Sequence, residues 1–222
     1  MTDLPTPTKV DQLEASQAAA LDRDGYLLLR GAVPEAWRDA LCAAFDAGVG
    51  PDEQWTAPRG PGWRHALVDL DATVQRACRL PPLLAAAGQM VGGPFFLCKV
   101  EGREPLPDGG HQPLHRDGVG QNAVAALVFL DPYGPDNGAT RVVPRHLDRG
   151  EPDEALSLVL AGEAGDILVF DADLLHGATR NRSGARRRSL LLSFTPERNR
   201  ASEDACRAVR DVRMDTSEAF VP

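Results

Sequence analysis

The spacing of hydrophobic and polar positions changes near residue 93, and with it the kind of element that the pattern predicts. Before that point, apolar residues recur at the spacing of helices that bury one face. The predicted helices are Val10 to Arg23, Pro34 to Ala47, and Leu70 to Met90, the last broken at Pro81-Pro82. A short apolar run, Tyr26 to Arg30, predicts one strand between the first two helices.

After residue 93 the chain consists of short apolar runs separated by Gly, Pro, Asp and Asn, which is typical of strands. The predicted strands are Phe95 to Val100, Ala123 to Leu130, Ala139 to Val143, Leu156 to Leu160, Ile167 to Phe170, and Arg188 to Thr195. A last helix is predicted over Ser202 to Arg213. Helices followed by many short strands favour an α+β, mainly β fold, and a jelly roll flanked by N-terminal helices fits best.

Two segments fit neither pattern. Residues 1 to 10 are polar and rich in proline, and we expect them to be loose. Residues 48 to 62 are rich in Gly, Pro and charge and predict a long loop, which in a compact domain is often a lid over the active site. Trp55 and Trp63 lie in or beside this loop, and each is interpreted either as a substrate contact or as an anchor to the core.

Length, charge and cysteine content favour a single-domain protein that does not bind nucleic acids. A chain of 222 residues suits one domain, and its net charge of -8 argues against binding to nucleic acids or anionic membranes. The cysteines show no paired spacing and are expected to be free thiols of a cytoplasmic protein. No signal peptide or membrane-spanning run is visible, and both a monomer and a dimer remain open.

The candidate chemistry centres on His115 and Asp117. Pro113 makes a helix unlikely to form there, and residues two apart in an extended segment point to the same side. His176 follows the predicted strand that ends at Phe170. Two histidines and a carboxylate are the ligands of non-haem Fe(II) oxygenases, and they leave positions open for a 2-oxo acid and O2. Asp171 and Asp173 are alternative carboxylates, although turn capping is the favoured role for both.

Further motifs connect these residues to a known family. They are Leu130-Asp131, Asn137 to His146 with Pro144, Gly165-Asp166, Phe170, His176-Gly177, Asn181 and Arg187. In this order and spacing they resemble the phytanoyl-CoA dioxygenase-like family of Fe(II)- and 2-oxoglutarate-dependent oxygenases. The resemblance implies a double-stranded β-helix, iron ligands at His115, Asp117 and His176, and 2-oxoglutarate bound by Arg187. An arginine suits that role because its planar fork binds a carboxylate through two hydrogen bonds.

The family also suggests other contacts to the oxo acid. A polar residue on an early strand commonly helps to hold 2-oxoglutarate, so Lys99 is either such a contact or a strand-edge lysine that reaches solvent. Thr140 is a weaker candidate of the same kind. The residues expected to contact substrate are Trp63, Arg103, His111, Arg116 and Gln121.

The reaction expected from this resemblance is oxidation of a small-molecule substrate, with succinate and CO2 as coproducts. Related halogenases have Gly or Ala in place of the metal-binding carboxylate, so Asp117 favours hydroxylation, desaturation or oxidative cyclisation. A small polar metabolite or a natural-product intermediate is the expected substrate. Two alternatives remain open: a cupin-type metalloenzyme that does not use 2-oxoglutarate, and a non-catalytic binding domain.

Overall fold

A computed structural model describes residues 6–222 as five helices and twelve strands. The helices are α1 (Ala15–Asp24), α2 (Arg38–Gly48), α3 (Ala72–Ala77), α4 (Pro81–Val91) and α5 (Arg200–Cys206). The strands are β1 (Thr8–Lys9), β2 (Tyr26–Leu29), β3 (Trp63–Ala66), β4 (Phe95–Pro105), β5 (Gln112–His115), β6 (Val124–Phe129), β7 (Thr140–Val142), β8 (Leu158–Val159), β9 (Ile167–Asp171), β10 (His176–Ala178), β11 (Ser189–Pro196) and β12 (Phe220–Val221).

Local sequence explains where the helices begin and end. The Asp71 carboxylate accepts hydrogen bonds from the backbone N–H groups of Thr73 and Val74 and so caps α3. The predicted break at Pro81-Pro82 is the start of α4, because proline is tolerated in the first turn of a helix. Gly92 ends α4 in the left-handed conformation, with a φ of 68°.

The strands form two sheets that face each other. The larger has the order β1-β12-β4-β11-β6-β9-β2, with β3 paired to β4, and the smaller has the order β5-β10-β7-β8. Alternation along β11 separates two environments: Leu190, Leu192 and Phe194 pack with the helices in the main core, whereas Ser189 and Leu191 face the space between the sheets. The predicted mainly β fold with flanking N-terminal helices is confirmed.

Several predicted boundaries are wrong. Thr8 and Lys9 form β1 and Val10 is buried, so residues 6–10 are not a loose end; residues 1–5 lie outside the described range. The predicted end of the long loop at residue 62 agrees with the structure, since Trp63 begins β3. The last helix ends at Cys206 instead of Arg213, and turns follow it up to Asp211, whose φ is 56°.

The predicted loop over residues 48 to 62 is mostly irregular, with the end of α2 at Gly48, a bridge from Val49 to Ala66 and one short 3-10 turn, and it is tied to the C-terminal segment. The Asp211 carboxylate accepts hydrogen bonds from the Thr56 backbone N–H and hydroxyl at 3.0 and 2.6 Å, and from Arg59 at 2.9 Å. Trp55 is buried against His65, and the Arg59 guanidinium lies over the Trp55 ring. The interpretation of Trp55 as an anchor to the core therefore fits this structure.

Among residues 6–222, none of the helices combines the length and the apolar content needed to cross a membrane.

Candidate functional site

His115, Asp117 and His176 come together between the two sheets. His115 ends β5 and lies opposite His176, the first residue of the antiparallel neighbour β10. The Asp117 carboxylate reaches both rings, with Oδ1 3.5 Å from His115 Nε2 and Oδ2 3.6 Å from His176 Nε2. The three side chains offer one ligand atom each, all within 4.8 Å of one another. This is a donor set that one metal ion could bridge.

Backbone contacts orient both imidazole rings for metal binding. Nδ1 of His115 donates to the Pro113 carbonyl, and Nδ1 of His176 donates to the Leu174 carbonyl, each at 2.8 Å. Because a carbonyl oxygen can only accept, these bonds place the proton on Nδ1 and leave the Nε2 lone pair free for a metal. The donor set therefore fits a divalent transition metal such as iron.

Gly177 lets β5 and β10 approach closely beside these ligands. A Cβ atom at this position would lie 2.6 Å from the Gln112 carbonyl oxygen and 2.9 Å from that of Pro113. A side chain is therefore excluded, and the glycine keeps His115 and His176 at their spacing.

Asp117 is the carboxylate that the structure brings to both histidines. Its interaction with His176 lowers the pKa of the Asp117 carboxyl below its ordinary value, so the group is an anion at neutral pH. Asp171 instead accepts a hydrogen bond from the backbone N–H of Asp173 in the turn before His176. This bond fits the turn-capping role predicted for Asp171.

Arg187 is a buried cation in the same space, with 2% of its surface exposed. Its guanidinium carbon lies 4.4 Å from the centre of the Tyr133 ring and 5.4 Å from that of Trp63. Within residues 6–222 it forms no ion pair, and its Nε has no hydrogen-bond partner. Burial lowers the pKa of Arg187, which means that the site is costly for a charge without an anionic ligand.

The neighbouring arginines face away, because adjacent residues in an extended segment point to opposite sides. Arg186 is paired with Glu104 and Asp46, and Arg188 with Asp131 and Asp46. The Asp131 carboxylate also accepts a hydrogen bond from the backbone N–H of Arg188. This bond fixes the chain next to Arg187 and helps to aim its side chain inwards.

One cavity of about 50 Å³ contains both the metal-ligand set and Arg187. Three other predicted residues line it: Trp63, Arg103 and Thr140. A second cavity of about 410 Å³ adjoins it, and Asp117, Ala125 and Leu191 line both.

The remaining predicted contacts lie elsewhere. Lys99 donates to the Glu101 carboxylate at 2.7 Å and does not line the metal cavity. Arg116 is bound to Asp148, and His111 lies in a surface groove with Arg141, Arg180 and Arg182. Gln121 lines only the larger cavity.

Sequence reasoning missed the rest of the cavity wall. Ser189, Leu127 and Leu191 line it from the larger sheet, and Tyr133 lies over the Arg187 guanidinium. The strand alternation after Arg187 could have indicated Ser189 and Leu191, since residues two apart share a face. Tyr133 follows β6 in an irregular turn, and no periodic signal marks it.

Comparison with known proteins identifies the chain. The family model described as phytanoyl-CoA dioxygenase (PhyH) matches residues 21–189, most of its length. The chain belongs to this family. The predicted family and the predicted enzyme class, a dioxygenase, are therefore confirmed.

Individual relatives agree with the family. An L-proline trans-4-hydroxylase from Streptomyces griseoviridis is 26% identical over 191 residues, which cover 66% of this chain and 70% of that protein. Several other curated relatives match over 39% of their length or less.

Solved structures show the same fold. HygX from Streptomyces hygroscopicus, with nickel and 2-oxoglutarate bound, has a TM-score of 0.71 at 17% identity and covers 83% of this chain and 88% of that one. The α-ketoglutarate-dependent epimerase SnoN from nogalamycin biosynthesis has a TM-score of 0.68 at 21% identity and covers 82% of both chains. The predicted jelly roll is therefore confirmed.

Proposed function

We propose that this chain is an Fe(II)- and 2-oxoglutarate-dependent dioxygenase whose iron is held by His115, Asp117 and His176. The observation that carries the proposal is Arg187, a buried cation without an ion-pair partner among residues 6–222, in the same cavity as the three ligands. A dianionic oxo acid fits this arrangement, because one end can bind the metal and the other end the guanidinium.

The chain's own residues bind, orient and shield the reactants. Arg187 holds the distal carboxylate of 2-oxoglutarate, and Thr140, which lines the same cavity, is proposed to contact the same molecule. Leu127 and Phe170 provide apolar walls that limit water around the oxo acid. Bound iron supplies the redox chemistry, in which O2 oxidises the substrate and 2-oxoglutarate becomes succinate and CO2.

The substrate class proposed is a small metabolite or natural-product intermediate, undergoing hydroxylation, desaturation or oxidative cyclisation. Supporting this are the relative that hydroxylates L-proline and the neighbours SnoN, from nogalamycin biosynthesis, and HygX, solved with hygromycin B bound. The adjoining cavity of about 410 Å³ offers space for such a molecule beside Asp117. We propose that Trp63, in the smaller cavity, and Gln121, in the larger cavity, contact this substrate.

The proposal also covers organisation and location. We treat residues 1–222 as one catalytic domain in which the 48–62 loop is a lid over the site. The four cysteines are free, which supports a cytoplasmic location.

Arg187→Gln tests the cosubstrate site. Calorimetric titration of 2-oxoglutarate into the Ni(II)-loaded protein should give binding that is roughly a hundred-fold weaker in the variant, because a buried charged pair is lost. Arg180→Gln is the matched control, since Arg180 is exposed and, among residues 6–222, its side chain bonds only the Asp108 carbonyl. Wild-type protein that binds no 2-oxoglutarate, or that releases no succinate from it with Fe(II), would overturn the proposal.

A further inference from the structure

A second arginine, Arg103, lines the metal cavity beside Arg187. It lies on β4 opposite Ser189 of β11, which is two residues after Arg187, so both arginines project from the larger sheet into the same space. Their guanidinium carbons lie 5.3 and 5.4 Å from the centre of the Trp63 ring. Within residues 6–222, Arg103 Nε has no hydrogen-bond partner and the nearest carboxylate oxygen, of Glu101, is 3.4 Å away.

Glu101 does not neutralise Arg103, because other cations share it. Lys99 donates to Glu101 at 2.7 Å, and Arg59 lies 3.7 Å from it while bonding Asp211 at 2.9 Å. This cluster contains three cations, Lys99, Arg59 and Arg103, and two carboxylates, Glu101 and Asp211 of the C-terminal segment. Burial lowers the pKa of nearby His65 to about 4, so that ring is neutral and adds no charge. One positive charge is left over, and Arg103 carries it at the cavity wall.

The cosubstrate does not need that charge. A divalent iron, the Asp117 carboxylate, doubly charged 2-oxoglutarate and the Arg187 guanidinium together have no net charge. A substrate with a single negative charge would therefore neutralise the loaded cavity. A phosphate ester with two charges would leave an excess, whereas a carboxylate matches both the charge and the planar fork of arginine.

The other residues that line the cavity are mostly apolar and suit the hydrocarbon part of such a carboxylic acid. Ala125 and Leu191 are shared by the two cavities, and Leu127 and Phe170 add apolar surface near the metal. The Trp63 ring lies beside the Arg103 guanidinium and adds aromatic surface to the same cavity wall.

We propose that Arg103 binds the carboxylate of the primary substrate and that the enzyme acts on a small monocarboxylic acid, amino acids included. This inference rests on the proposed function, because it assumes that Arg187 and the metal take both ends of 2-oxoglutarate. It assigns to Arg103 the selection of substrate by charge.

The test uses full-length protein loaded with Ni(II) and 2-oxoglutarate, which binds ligands without turnover. Thermal unfolding is followed against amino acids and other small carboxylic acids, each paired with its primary amide, together with phosphate monoesters and neutral sugars. At least one acid should raise the Tm, while its amide should not. In Arg103→Gln that acid should bind roughly ten- to a hundred-fold more weakly, and Arg103→Lys should retain part of the affinity.

Arg64→Gln is the matched control, because Arg64 is the neighbour of His65 on β3 and pairs with Glu104 on the other face. Both glutamine variants should bind 2-oxoglutarate within about threefold of wild type, which shows that they are folded. The inference is overturned if an amide binds as well as its acid, if only sugars or phosphates bind, if no acid binds, or if Arg103→Gln loses 2-oxoglutarate as Arg187→Gln does. Failure of wild-type protein to bind 2-oxoglutarate would instead reject the proposed function.

Discussion

At the scale of single residues, the site depends on side chains whose direction is set by their immediate backbone neighbours. His115 and His176 each donate Nδ1 to a carbonyl two residues earlier in the chain, so the local turn selects the tautomer. Arg187 is held from the next residue, where the backbone of Arg188 bonds Asp131. These bonds lie within the chain itself, so the fold orients the side chains and reduces the ordering that binding would require.

Gly177→Ala should weaken metal binding, because the added methyl group would clash with the backbone of β5. A Cβ atom 2.6 Å from the Gln112 carbonyl oxygen forces β5 and β10 apart and changes the spacing of His115 and His176. We expect a loss of roughly 1–3 kcal/mol in the free energy of unfolding. Ni(II) affinity by calorimetry should fall at least about tenfold, as for outer-shell changes at metal sites.

Gly93→Ala is the control for that experiment, because no atom lies within 4 Å of its added Cβ. Its stability should stay within about 0.5 kcal/mol of wild type. Unchanged Ni(II) affinity in Gly177→Ala would show that the close approach of the two strands does not set the ligand geometry.

At the scale of elements, the sequence predicted the strands that have a long apolar run and missed those that form only because a distant strand pairs with them. The strands around Val128, Val169 and Leu192 were found because their apolar residues are contiguous. β10 and β12 were missed because they are short and lie in no longer apolar run, whereas the equally short β7 and β8 lie within the predicted runs Ala139 to Val143 and Leu156 to Leu160. The motif spacing pointed to His115, Asp117 and His176, which the fold brings together, whereas Lys99 does not line the cavity because Glu101, two residues away, binds its ammonium group.

Asp211→Asn tests how the 48–62 loop is held. The substitution keeps the size of the side chain but removes the charge that binds Arg59 and one acceptor for the Thr56 donors. Hydrogen exchange of the backbone amides around Trp55 and Thr56 should become roughly tenfold faster, because local opening costs less.

Asp215→Asn serves as its control, because Asp215 lies in the same C-terminal segment but, in the described part of the chain, its carboxylate bonds only Ser217. Exchange in the loop should be unaffected there. Equal rates in wild type and Asp211→Asn would mean that Trp55 alone fixes the loop.

At the scale of the whole molecule, the larger sheet separates stability from chemistry. One face of β4 and β11 packs Val100, Leu190 and Leu192 into the helices, and the other face carries Lys99, Glu101 and Arg103. Cavity residues can therefore vary while the main core stays intact. The groups whose burial reduces stability, namely the charged side chains and His65, lie on the cavity face of the sheet.

His65 makes the stability of the protein depend on pH. Burial, followed by the Arg103 charge, lowers its pKa from 6.5 to about 4, so the folded protein keeps the ring neutral. Above pH 6.5 the ring is neutral in both the folded and the unfolded chain, and the protein has its full stability. As the pH falls from 6.5 to about 4, the unfolded chain binds a proton at His65 and the folded protein does not, so the free energy of unfolding decreases. Between pH 7 and pH 5 this linkage should cost about 2 kcal/mol.

Urea unfolding across that pH range measures the effect. His65→Gln should show a correspondingly flatter dependence, whereas His111→Gln, a change at an exposed histidine, should follow wild type. A wild-type stability that rises as the pH falls from 7 to 5 would contradict the buried neutral state of His65.

The parallel pairing of β1 with β12 has a consequence for the order in which the fold can be completed. Thr8 and Lys9 pair only with Phe220 and Val221 among the described residues, and Phe220 in turn attaches to Phe95 on β4. During synthesis the first of these strands must wait for the last before it has a partner. The edge of the larger sheet is thus assembled only after the ribosome has released residue 221, when the cavity strands are already available to fold.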